Sequence, residues 1–88
     1  MPHFTIFNNN VNAPSVSVTY VDGTGTSVVA NVTKNERRAT NGIQLVSTVK
    51  VRWKLKEPQT IQHSEENQRV LVITHGHGEH LGLNWAQE

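Results

Sequence analysis

The sequence has 88 residues, 35% of them hydrophobic and 6% aromatic, with a formal net charge of +1 and no cysteine. These values bound one domain, 1–88, and exclude a disulfide framework and thiolate chemistry. They also exclude a globally basic protein, so affinity for anions has to come from clustered cations. Met-Pro-His-Phe-Thr-Ile-Phe at the N-terminus lacks the basic and long apolar regions of a signal peptide, and no apolar run approaches the ~20 residues of a membrane helix. Synthesis in a cytoplasm and no membrane partner are therefore expected.

Phe4–Phe7 reads as a short strand followed by a polar turn, Asn8-Asn9-Asn10. In Ser15–Val21, Val16, Val18 and Tyr20 alternate with Ser15, Ser17 and Thr19, the pattern of a half-buried strand. Asp22-Gly23-Thr24-Gly25 is a hairpin turn signal, because glycine tolerates positive φ, and Thr26–Val32 is the returning strand. Thr33–Gly42 is polar and reads as a loop carrying Lys34, Arg37 and Arg38, with Asn41-Gly42 as a second turn signal. Ile43–Lys56 reads as a long central strand, ended by Glu57-Pro58. Gln59–Asn67 is a polar connection, and Gln68–Thr74 a strand whose apolar run predicts burial on both faces. The remaining residues, rich in glycine up to Gly82, read as a tail with at most one helical turn at Leu83–Gln87. The expected fold is all-β: an antiparallel meander of about five strands in a sheet completed by dimerisation, with a short irregular C-terminal tail. The low aromatic content predicts a thin core, and uncovered strand edges favour an oligomer.

The central strand carries the strongest pattern. Leu45, Ser47, Val49, Val51, Trp53 and Leu55 fall on one face, and Val46, Thr48, Lys50, Arg52, Lys54 and Lys56 on the other. Half of the eight Lys and Arg residues lie in Lys50–Lys56 and point one way. Like charges so close repel one another, and a polyanion laid across them relieves the repulsion. Thr48, Lys50, Arg52, Lys54 and Lys56 are the candidate nucleic-acid contacts. Two plainer explanations of the pattern stand beside this one: a solvated face, or an edge strand that uses lysine against aggregation. Trp53 falls on the face opposite the cations and is expected in the core or an interface.

Val70–Gly82 contains Thr74-His75-Gly76-His77-Gly78-Glu79-His80 and resembles the metal-binding signature of the metallo-β-lactamase-fold hydrolases. In that resemblance His75, His77 and His80 take the histidine positions and Glu79 stands where the family has Asp. The family's further ligands come from downstream, and only eight residues follow His80. The cluster therefore enters as an alternative metal-binding site. With no catalytic constellation elsewhere, a non-enzymatic protein without a cofactor is expected.

Phe4-Thr5-Ile6, Val16–Val21 and above all Val49–Pro58 resemble the coat proteins of single-stranded RNA bacteriophages. In those proteins a meander of antiparallel strands carries Lys, Arg, Thr and Ser on the face that meets RNA, and dimers share one sheet. The resemblance implies an assembling, RNA-binding structural protein located in a virion, with Thr48, Lys50, Arg52, Lys54 and Lys56 towards RNA. The family's C-terminal helix pair has no counterpart in the residues after Thr74. The alternative is a small phage-type inhibitor or decoration module whose basic face meets an acidic protein partner.

Overall fold

The computed structural model describes residues 3–10, 13–40, 42–43, 46–54, 56–78 and 80–87. Asn41, Leu45, Leu55 and Glu79, which figure in the expectations above, lie outside the described residues. The described residues form eight strands: β1 (Thr5–Asn8), β2 (Ser15–Val21), β3 (Ser27–Thr33), β4 (Arg37–Ala39), β5 (Ser47–Arg52), β6 (Gln59–His63), β7 (Val70–His75) and β8 (Leu81–Ala86). They make two four-stranded sheets, ordered β4-β1-β7-β8 and β3-β2-β5-β6. β1 runs parallel to β7, with Thr5 opposite Val70 and Asn8 opposite Ile73, while the other strand pairs are antiparallel. Among the described residues no helix is long and apolar enough to cross a membrane.

The expected five-strand antiparallel meander is thus corrected to eight strands in two sheets, one of them mixed. The expected sheet completed by dimerisation is corrected too, since the second layer over the core comes from the same chain. β4 forms inside the expected loop, β6 inside the polar connection, and β8 replaces the irregular tail. The long central strand shrinks to Ser47–Arg52; Ile43 makes only an isolated bridge to Asp22. Trp53 and Lys54 enter a bend in which Lys54 has φ 65°, left-handed backbone that ends the alternation.

The apolar side of each alternating strand faces the other sheet. Ile6, Leu71 and Ile73 from one sheet and Val16, Val18, Val32, Val49 and Val51 from the other are fully buried in one cluster. The aromatic residues are few but concentrated. Phe4, just before β1, has its ring 6.0 Å from Tyr20 on β2, 5.1 Å from His63 on β6 and 5.1 Å from Trp85 on β8. His63 and Trp85 are themselves 5.0 Å apart. Edge-on and tilted contacts of this kind add about 0.5–1.5 kcal/mol per aromatic pair beyond the area buried.

Side chains join the sheets along both flanks. Gln59 of β6 pairs with Leu81 of β8 as a strand would: its Nε2 donates to the Leu81 carbonyl at 2.8 Å, and its Oε1 accepts from the Leu81 amide at 2.6 Å. Three residues on, the Trp85 indole Nε1 donates to the Gln62 carbonyl at 2.8 Å. On the other flank the chain itself crosses from β3 to β4. There Asn8, buried, donates from Nδ2 to the carbonyls of Ala13 and Val32 at 3.2 and 3.1 Å. Its Oδ1 accepts from the Asn10 amide. The Asn8-Asn9-Asn10 turn is therefore an inter-sheet clasp, with Asn8 as its buried member.

Removing Gln59 leaves a Leu81 amide and carbonyl without their partners, a loss of about 1–3 kcal/mol. Gln59→Ala is expected to lower the urea midpoint accordingly, whereas Gln62→Ala, which removes an exposed side chain, stays within about 0.5 kcal/mol. Equal midpoints for the two variants would remove the β6–β8 clasp from the stability of the fold.

His63 makes stability depend on pH. Its Nε2 lies 3.0 Å from the Gln68 carbonyl, and its buried Nδ1 has no partner among the described residues. Burial holds the imidazole below its ordinary value of 6.5, against the opposing pull of the Gln68 carbonyl. The unfolded chain then takes up a proton that the fold refuses, so stability is whole above about pH 6.5 and falls as the pH drops below it. Urea midpoints measured from pH 7.5 to 5 are expected to fall in the wild type and to flatten in His63→Gln, which keeps a donor for Gln68.

Candidate nucleic-acid interface

β5 is an interior strand, flanked by β2 and β6. Its cations therefore do not serve to block an edge, one of the two plainer explanations of the pattern. Val49 and Val51 are buried, and Thr48, Lys50 and Arg52 are exposed on the outward face. Register places Lys50 between Thr19 of β2 and Thr60 of β6, with Val29 of β3 beyond Thr19. Arg52 lies beside Ser17, and Ser17 beside Asn31. Thr48 lies beside Gln62, whose Nε2 donates to the Thr48 hydroxyl at 2.9 Å. The outward face is thus a field of hydroxyls and amides with two cations in line. Lys50 and Arg52 are two residues apart on one face, a step of about 6.8 Å.

The acidic residues are absent from this face for a simple reason. None of the four strands β2, β3, β5 and β6 contains Asp or Glu. Two of the acids, Asp22 and Glu36, sit in turns and work there. Asp22 Oδ1 accepts from the Thr24 hydroxyl at 2.7 Å, the Thr24 amide at 2.9 Å and the Thr26 amide at 3.0 Å. These bonds, the Thr24 hydroxyl first, hold its carboxyl below the ordinary value. Glu36 is held down by the amide and then the hydroxyl of Thr33, and after them by Arg38, whose guanidinium binds it at 2.8 Å. Each carboxylate is thereby committed to its own turn.

The five candidate residues do not stay together as a strand row. Thr48, Lys50 and Arg52 share the outward face of β5; Lys54 and Lys56 follow in the bend, both exposed. Lys54 Nζ lies over the Trp53 ring, 4.7 Å from its centroid, and part of its charge is engaged there. Trp53 packs against the core. Sequence reasoning missed Ser17, Thr19, Thr60 and Gln62, which neighbour the cations on adjacent strands. The alternation in β2 was visible, but not which strand would lie beside which.

The histidines lie at the other sheet's hairpin. His75 ends β7, and the turn that follows is closed by Gly76 N–H to the His80 carbonyl at 3.1 Å and His80 N–H to the His77 carbonyl at 3.0 Å. Among the described residues no three His, Cys, Asp or Glu side chains come together to hold a metal ion. His80 leads directly into β8, so the stretch resembling the hydrolase signature forms a tight β-hairpin.

No family model matches the chain, and neither a curated protein nor a solved structure matches it.

Left-handed backbone costs an L-residue about 1–2 kcal/mol. Among variants that both lose the lysine side chain, Lys54→Gly is accordingly expected to be more stable than Lys54→Ala by about 1 kcal/mol, read from thermal unfolding. A more stable alanine variant would place the bend elsewhere.

Proposed function

We propose that this chain is a non-enzymatic protein that binds nucleic acid, RNA in first place, through the outward face of the β3-β2-β5-β6 sheet, in the manner of an assembling coat-type structural protein. The observation that carries the reading is the segregation of charge: Lys50 and Arg52 stand in line on an interior strand, among hydroxyls, on strands without a carboxylate. Ammonium and guanidinium groups bind phosphates, and Ser and Thr hydroxyls add neutral donors beside them. Lys54 and Lys56 extend the positive surface past the end of β5. The contacts recognise the backbone and so give affinity with little base sequence preference.

Neutralising two to four phosphates predicts a slope of log K against log salt of about −1.4 to −2.8 for a single strand. That is weak binding for one copy, and it becomes tight when many copies line one polymer. The face suits an assembling protein for that reason.

Replacing Lys50 and Arg52 together by Glu is expected to abolish RNA binding in fluorescence anisotropy while leaving the circular dichroism spectrum and urea midpoint in place, because both side chains are exposed. RNA binding undiminished in the folded double variant would overturn the reading. Polyglutamate bound as tightly as RNA by the wild type would transfer the same face to an acidic protein partner.

A further inference from the structure

Beside Lys50 the sheet face opens into a groove of about 350 Å³, lined by Val21, Val46, Ser47, Thr48 and Lys50. Its composition is unlike the rest of the face. Val21 and Val46 are large apolar side chains left 41% and 64% exposed, and covering them is favourable. Ser47 borders the groove, but its hydroxyl oxygen is buried on the inward face with Val49 and Val51 and is not presented to a ligand. Thr48 Oγ1 already accepts from Gln62, which leaves its own hydroxyl hydrogen to donate. The groove therefore joins aliphatic walls, one hydroxyl and an ammonium.

We propose that this groove receives a nucleobase turned out of a single strand, so that the protein prefers single-stranded nucleic acid to duplex. The inference rests on the phosphate-binding reading above and adds the part of the ligand that the groove takes. A base has a flat face that covers aliphatic carbon and an edge of acceptors for the Thr48 hydroxyl and the Lys50 ammonium. Lys50 follows Thr48 on the same face after about 6.8 Å, a reach comparable with that from a base across its sugar to the phosphate. No carboxylate on these strands opposes that phosphate. In a single strand the bases can be splayed out at little cost. In a duplex each one has to be unpaired and unstacked first, at a few kcal/mol. The usual alternative for single strands, stacking on an exposed aromatic ring, is not offered by Trp53, which packs against the core under Lys54.

The test compares three labelled RNAs of equal length by anisotropy on the full chain: an intact single strand, the same strand made abasic, and a duplex. The intact strand is expected to bind about five-fold more tightly than the other two, less than aromatic stacking of several bases would give. Val46→Ser is expected to bring the intact strand to the abasic level and leave abasic binding unchanged; the side chain is exposed, so the fold tolerates it. If intact, abasic and duplex RNA bind alike, or if Val46→Ser lowers all three equally, the base-binding groove is overturned while phosphate binding stands. If none of the three binds, the phosphate reading fails and this inference with it.

Discussion

Phe4 holds the two layers together. Its ring meets one side chain from each of β2, β6 and β8, so strands far apart in sequence converge on a single buried group. A chain with only 6% aromatic residues cannot fill a broad core with rings. It places four ring side chains, Phe4, Tyr20, His63 and Trp85, at one contact between the sheets and fills the rest with valine and isoleucine. The radius of gyration, 11.9 Å, is that of an ordinary compact domain of this length.

The polar side chains that close the flanks follow from the same constraint. A small sandwich has little interior in which to hide the ends of its sheets. Asn8 and Gln59 supply amide groups that stand in for missing backbone partners. His63 belongs to the same economy: it fills the space of an aromatic residue and spends one ring nitrogen on the Gln68 carbonyl. The cost is a buried imidazole that resists protonation.

Much of the chain was legible in its residues. Val16-Ser17-Val18-Thr19-Tyr20 alternates cleanly because one face is core and the other is water, and Asp22-Gly23 marks the turn because its carboxylate organises the hairpin. The alternation at Thr48, Lys50 and Arg52 was equally plain, and so was the interior character of β7. Other parts were hidden for physical reasons. β4 is three exposed residues, held by pairing with β1 rather than by any apolar face. β6 has one aliphatic residue, Ile61, and its other inward positions are Gln59 and His63, which read as loop. β8 alternates Leu81, Leu83 and Trp85, but the glycines before and within it mask the period. Lys54 and Lys56 continue the alternation in sequence after the backbone has turned away, since periodicity records residue types and not φ. The groove was not legible at all, because Val21 and Val46 come to line one surface only when β2 and β5 pair.

The flanking clasps decide how another molecule can approach. Sheet edges ordinarily invite a foreign strand to continue the ladder. Here the Leu81 amide and carbonyl are occupied by Gln59, the Gln62 carbonyl by Trp85 and the Val32 carbonyl by Asn8. An arriving peptide would have to displace a side chain at each of these positions before it gained a bond. At these positions the chain's own side chains close the sheet edges to strand addition.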